Sequence, residues 1–369
     1  MARLREVAQA AGVSAATVSR YLNRSLILPA ETAARIESVI RSLDYRPNPH
    51  ARRLSRGRSD TIGLVIPDVA NPFFAGLADA VEQEAELHGL GLLLFATRNR
   101  SERELDAISR IGRTLVDGLI FVTNHADDGS LARAINAERG VVLLDEDIAA
   151  AQAPKILADN HNGGVLAGRH LIMAGHRRLG FIGGPQDLLS TTERRAGLRD
   201  AVLQAGPACS VTFENFGDYT ADAGRAAASR LLNMTNRPTG LFAASDKITL
   251  GLLDGLRAGA MHIPRDMSLV TFDDVGPLHL LDPPLTAIRQ PLREMARRGV
   301  DLLLARLRGE SMPEQTVRLP VQLIDRASVI APRRNTISAN ATRIRRKHDA
   351  YHQTGVSQHG SRPRGHNRA

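Results

Sequence analysis

Apolar positions recur every three to four residues through the first 44 residues, the spacing of one buried helix face. Leu4, Val7, Ala8 and Ala11 form a first stripe, and Val18, Tyr21 and Leu22 a second. Ala33, Ile36, Val39, Ile40 and Leu43 form a third, in a helix that opens near Pro29-Ala30-Glu31. Gly12 can take the positive φ of a sharp turn, and Ser14 is placed to cap the second helix. The pattern predicts helix, tight turn, helix, with Ala15, Ala16, Ser19 and Arg20 facing outward. A short helix with small residues at its tip and an arginine one turn on can enter the DNA major groove.

Tyr45-Arg46-Pro47-Asn48-Pro49 breaks this pattern. The stretch from Pro49 to Arg56 could be helical again, but it is shorter than the ~12–15 residues an isolated helix needs. It is expected to be a linker that folds only when held. From Thr61 the period changes: continuous apolar runs at 62–66, 92–96, 118–122, 141–144, 179–182, 240–244 and 268–272 alternate with helical segments. Such alternation predicts parallel sheets with helices on both faces. About 270 residues is too much for one sheet, so two similar lobes are expected. After Ala331 the chain is rich in Arg, Asn, Ser and His without apolar period, and is expected to be a disordered tail.

The charge map sharpens this division. The net +9 splits into +6 over residues 1–60, +8 over 331–369 and −5 between them. Basic ends fit nucleic-acid contact, and the acidic middle points to a different task. No apolar run approaches the ~18 residues of a membrane helix, and the N-terminus has no signal-like apolar region. Cys209 is the sole cysteine, so a disulfide framework is excluded and a cytoplasmic location is expected.

Ligands of open parallel sheets sit outside the carboxyl ends of the strands. Here those ends are repeatedly acidic: Asp68, Asp145, Asp159, Asp246 and Asp273. Carboxylates can accept from several hydroxyls of a sugar or polyol. Asp at a strand end is also a common helix cap, and about half of the five are expected to do only that. Arg194 reads as a ligand clamp or a solvated helix charge. His125, His161, His170 and His176 lack metal-ligand spacing and read as surface residues. Gly163-Gly164 and Gly183-Gly184 match no phosphate-binding loop, and no cofactor or metal motif is present.

The order of short motifs resembles the LacI/GalR family of transcriptional regulators. They include Val7-Ala-Gln-Ala-Ala-Gly-Val-Ser14, Thr17-Val-Ser-Arg20, Leu43-Asp-Tyr-Arg-Pro-Asn48, Ala51-Arg-Arg-Leu54, Ile62-Gly-Leu-Val-Ile-Pro-Asp68 and Asn71-Pro-Phe-Phe74. Arg194-Arg-Ala-Gly197, Ser245-Asp246, Phe272-Asp-Asp274 and Pro284-Leu-Thr-Ala-Ile-Arg-Gln290 follow. The resemblance implies a small all-α helix-turn-helix domain over 1–47, a hinge helix within 48–60, and a two-lobed α/β core over 61–332. That core would hold two doubly wound parallel sheets, like a periplasmic binding protein. Its N-lobe would take about 61–160 and 291–320, its C-lobe about 161–290 and 321–332, with a basic tail over 333–369.

By the same resemblance Ala15, Ala16 and Arg20 match base-reading positions, and Thr17 and Ser19 match anchors on the DNA. The implied DNA-contacting set also takes in Ser14, Asn23, Asn48, Ala51 and Arg52, with Leu54 as a minor-groove wedge. Effector-binding positions would be Asn71, Phe73, Asp159, Ser190, Arg194, Tyr219, Asp246 and Asp273. Tyr219 would stack on a sugar ring, and Arg194 and Asp273 would pair across its hydroxyls. Leu188 stands where the purine-responsive branch carries an arginine, which argues against a nucleobase. The tail lacks a leucine heptad repeat, so a homodimer is expected. The implied partners are double-stranded operator DNA and a sugar, sugar acid or polyol. The alternatives are a periplasmic-type sugar receptor without DNA function and an enzyme of the doubly wound class.

Overall fold

The computed structural model describes residues 4–22, 26–45, 58–111, 115–310 and 316–333. The head holds α1 (Leu4–Ala10), α2 (Ala15–Leu22) and α3 (Ala30–Ser42). Val7, Ala8, Ala11, Val18 and Ile36 close into one buried cluster, the stripes that the spacing predicts. Gly12 takes φ +64°, and Ser14 Oγ accepts from Thr17 N at 3.0 Å, so turn and cap form as expected. Arg35 Nε donates to Ala11 O at 2.9 Å and Tyr21 donates to Glu37 at 2.8 Å, tying α3 to the rest of the head.

Beyond the head the chain runs β1 (Thr61–Ile66), α4 (Pro72–Leu87), β2 (Gly91–Ala96), α5 (Ser101–Ile108), β3 (Gly118–Phe121), α6 (Ser130–Ala137), β4 (Val141–Leu144) and β5 (Lys155–Ala158). It crosses into a second lobe through α7 (Asn160–Met173), β6 (Arg178–Gly183), α8 (Leu189–Gln204), β7 (Ser210–Phe216), α9 (Ala221–Leu232), β8 (Gly240–Ala243), α10 (Asp246–Ala258), β9 (Ser268–Phe272) and β10 (Thr286–Arg289). It then returns for α11 (Leu292–Leu307) and β11 (Thr316–Leu319) and ends on β12 (Gln322–Ile324). The sheets have matching orders, β2-β1-β3-β4-β5-β11 and β7-β6-β8-β9-β10-β12. All strand pairs are parallel except β10 with β12.

Each sheet carries an apolar layer on both faces, which is why its inner strands read as unbroken apolar runs. The runs missed in the sequence are edge or short strands. β7 alternates exposure along its length, and β12 has only three residues. The glycines that match no phosphate loop serve close packing. A Cβ on Gly164 would lie 2.2 Å from Arg194 O, and one on Gly197 would lie 1.9 Å from His161 O. α7 and α8 therefore meet backbone to backbone, and this contact positions Arg194.

Candidate effector cleft and DNA-reading head

In each sheet the strand order reverses beside the first strand of the lobe, between β1 and β3 and between β6 and β8. Crevices at such reversals take ligands. Asn71, Phe73 and Phe74 follow β1, Asn124 follows β3 and Asp145 follows β4; from the second lobe come Ser190, Arg194, Tyr219, Ser245, Asp246, Asp273 and Gln290. These residues line one shared cleft, so seven of the eight implied effector positions converge, all but Asp159. The space left between the walls is about 30 Å³, room for roughly two water molecules. The Glu146–Ser190 hydrogen bond closes the lobes here, and a cavity of about 540 Å³ that shares Phe73, Asp273 and Gln290 adjoins this space.

Arg194 is buried at the centre. Its Nε donates to Asn160 Oδ1 at 2.8 Å and Nη1 to Ala244 O at 2.6 Å, while the guanidinium lies 3.5 Å above the Phe272 ring centre. Tyr219 presses a ring face on Gly184, where a Cβ would lie 2.4 Å away. Its hydroxyl sits 3.0 Å from Ser190 Oγ and 2.8 Å from Thr191 Oγ1. Only its other face remains for a ligand. On the first lobe Asn71 caps α4, accepting from Phe73 N at 2.9 Å, and so fixes the Phe73–Phe74 corner.

Asp145 and Asp273 end equivalent strands, and both sit at φ +70°, a left-handed conformation that Asp tolerates better than most residues. Asp145 Oδ1, both Asp246 carboxyl oxygens and Gln290 Oε1 are buried and accept no hydrogen bond from the protein. Gln290 Nε2 instead donates to Asp273 Oδ1 at 2.8 Å. Burial pushes the Asp145 carboxyl up to about 7, with nearby Arg194 opposing and Asp273 and Glu146 adding to the rise. Burial and then Asp273 push Asp246 up to about 7, and burial raises Asp273. The cleft is a cluster of acceptors in want of donors.

Three expectations need correction. Asp159 does not line the cleft; its Oδ1 accepts from Asn162 N at 3.0 Å and caps α7, while its neighbour Asn160 holds Arg194. Ala15 is half-buried against the head's apolar cluster, since it lies one turn before Val18 on the same face; Ala16 and Arg20 are exposed. His176 is buried, its Nδ1 2.9 Å from Thr239 Oγ1, and His125 is partly buried against Glu104 at 2.7 Å. Asn23, Asn48, Ala51, Arg52 and Leu54, the hinge helix and the tail past Arg333 lie outside the described residues.

Sequence reasoning overlooked Asn124, Asn160, Gln290 and above all Glu146. Glu146 follows Asp145 on the first lobe yet reaches the second: Ser190 Oγ donates to its Oε2 at 2.6 Å, and Ser190 N lies 3.3 Å from Oε1. The signal available was the acidic run Asp145-Glu146-Asp147 directly after a buried strand. Among the described residues no helix is long and apolar enough to cross a membrane.

Residues 3–48 match the family described as bacterial regulatory proteins, lacI family, and residues 169–329 match a periplasmic binding protein-like domain. The transcriptional regulator GalR of Escherichia coli (strain K12) is 32% identical over 332 residues, covering 90% of this chain and 97% of GalR. The solved lac repressor dimer bound to operator and an anti-inducer superposes with TM-score 0.79 at 26% identity, covering 89% of this chain and 99% of that one. The complex of the regulator CelR with cellobiose superposes with TM-score 0.66 at 32% identity, covering 89% of this chain and all of that one. Members of the family are transcription regulators and not enzymes, so the doubly wound enzyme is set aside. With a helix-turn-helix head ahead of two matching sheets that close on an acceptor-lined cleft, this chain belongs to the LacI family of DNA-binding transcriptional regulators.

Proposed function

We propose that the protein is a cytoplasmic repressor that binds a palindromic operator as a homodimer and is controlled by a sugar, sugar acid or polyol. The observation that carries the effector reading is the set of buried acceptors of Asp145, Asp246 and Gln290, facing one another across a closed two-lobe cleft. Hydroxyl groups supply the donors these atoms need. The similar CelR–cellobiose complex and the operator-bound lac repressor support the same reading.

In this proposal Ser14 and Thr17 fix the start of α2, and Ala16 and Arg20 face base edges, with Arg20 the main direct reader. Ala15 keeps a supporting place. Leu54 wedges into the operator centre, at a deformation cost that two hinges share. Effector binding changes lobe closure, and the hinges respond. A coupling of ~1–3 kcal/mol changes operator occupancy about 5- to 150-fold.

The test uses the full chain, the DNA upstream of its own gene, and fluorescence anisotropy. Galactose, ribose, cellobiose and a hexitol are added in turn, and at least one should change operator affinity. Leu54→Ala should weaken operator binding; binding as tight as wild type would remove the hinge from the mechanism. Affinity should fall steeply between ~50 and ~200 mM salt because Arg20, Arg52, Arg53 and Arg56 make or steer phosphate and groove contacts.

A further inference from the structure

Against the cleft residue Ser190 lies a buried carboxylate from the opposite lobe, Glu146. Glu146 is 3% exposed; it accepts from Asp147 N on its own loop and leaves the first sheet to accept from Ser190 Oγ and Ser190 N in the first turn of α8. A carboxylate at this place draws on the helix dipole and the free amides of the first turn. Burial raises the Glu146 carboxyl above its usual range, and the Ser190 and Asp147 donors, with Arg194, oppose that rise. The start of α8 is the part of the cleft best suited to an anionic group, and Glu146 already fills it.

The remaining charge points the same way. Asp145, Glu146 and Asp273 lie near the buried cation Arg194, whose Nε and Nη1 are committed to Asn160 and Ala244 O, and Asp246 lies near Asp273. The next cation, Lys247, reaches Asp68 on the first lobe at 3.5 Å. Both Asp246 oxygens and Gln290 Oε1 are buried without a donor, on residues 2% and 6% exposed. An anionic effector would bring acceptors to acceptors and add negative charge to a site where burial already raises Asp145, Glu146, Asp246 and Asp273.

We infer that Glu146 is a specificity residue which stands in for a ligand anion at the start of α8, so that the cleft selects uncharged sugars or polyols and rejects sugar acids and sugar phosphates. This rests on the sugar or polyol reading above and narrows it.

The experiment is thermal shift and calorimetry on the full chain with matched probes: galactose, galacturonate and galactose 6-phosphate; ribose and ribose 5-phosphate; cellobiose and cellobionate. Wild type should bind a neutral probe and its charged partner at least about tenfold more weakly. Glu146→Gln, which keeps the shape and an acceptor for Ser190, should shrink that ratio by about tenfold or more while changing the neutral affinity far less. The ligand-free melting temperature shows whether the variant is folded, and the wild-type ratios test the inference even if it is not. Tighter binding of the charged partner, or a ratio that folded Glu146→Gln leaves unchanged, overturns the inference and keeps an effector site. Binding of none of the probes overturns the sugar or polyol reading, and the inference with it.

Discussion

The two lobes place acidic pairs at equivalent strand ends, Asp145-Glu146 after β4 and Asp273-Asp274 after β9, and they satisfy the second acid in opposite ways. Asp274 is held within its own lobe, by Arg326 at 2.6 and 2.9 Å and by Arg289 at 3.0 Å. Burial pushes its carboxyl up, but these two guanidinium groups outweigh that and hold it below the usual range. Glu146 finds its side-chain and helix donors across the cleft, on Ser190. The second lobe is complete without the first, whereas the first lobe's acid is satisfied only when the two meet. The second lobe also supplies Arg194, Tyr219, Asp246 and Asp273 to the cleft, against Asn71, Phe73, Phe74, Asn124 and Asp145 from the first. The second lobe is therefore the built recognition surface, and the first is the wall that closes on it.

The hardest blow to this asymmetry is Arg194→Met. It removes the cation from among Asp145, Asp273 and Glu146 and leaves buried carboxyls uncompensated, a loss of about 3–5 kcal/mol. Asn71→Ala on the first lobe removes a helix cap and should cost ~1 kcal/mol. Urea denaturation of both variants measures the gap. Equal losses would mean that the two lobes share the task evenly.

Packing offers a second contrast. A Cβ on Gly251 would lie 1.8 Å from Ala221 O, backbone that cannot step aside, and one on Gly224 would lie 2.1 Å from Ile248 O. Gly251→Ala should destabilise by about 1–3 kcal/mol. Gly76 in α4 faces only the mobile end of Leu292, at 3.3 Å. Gly76→Ala should be neutral or stabilise by up to ~1 kcal/mol through helix propensity. Melting temperatures check both, and a stable Gly251→Ala would show that α9 and α10 can separate at low cost.

How far the chain could be read in advance follows the same division. Inner strands such as 141–144 were legible because both faces are buried, which makes them continuous apolar runs. Edge strand β7 was not, because its alternating exposure dilutes the apolar signal. Residues that meet the cleft from strand ends were found where a carboxylate follows an apolar run, as at Asp145, Asp246 and Asp273. The same rule brought in Asp159, since a capping Asp and a ligand-binding Asp look alike in sequence. Glu146 and Asn160 were out of reach because their partners, Ser190 and Arg194, are 44 and 34 residues away. Only the closed packing of α7 and α8 beside the first sheet brings them together.

The buried acids make the closed form sensitive to pH. Asp145 and Asp246 titrate near 7 in the closed cleft against an ordinary 3.8. A raised carboxyl contributes stability that is complete below its ordinary value and is lost as pH rises through 7. The ligand-free closed form should therefore weaken as pH rises from about 4 to about 7. Parting the lobes rehydrates both groups, so the loss is capped at the cost of opening. Small-angle scattering should show expansion with rising pH, and Asp145→Asn combined with Asp246→Asn should flatten it. An unchanged radius of gyration across this range would place the two carboxyls in water already.

The smallest effect belongs to the other ion pair that joins the lobes. Arg318 on β11 donates to Glu193 on α8 through two bonds of 2.7 and 2.8 Å, a fork-shaped contact between first and second lobe. The arginine side chain is 43% exposed and the glutamate 17%, so water and salt screen most of the attraction. Arg318→Ala should cost no more than ~0.2–1 kcal/mol, and a double-mutant cycle with Glu193→Ala should return a coupling in that range. The pair lies outside the acceptor cluster, so the variant should keep the wild-type ratio of neutral to charged effector binding. A shift in that ratio as large as that of Glu146→Gln would show that charge selection comes from closure of the lobes in general and not from the carboxylate seated at the start of α8.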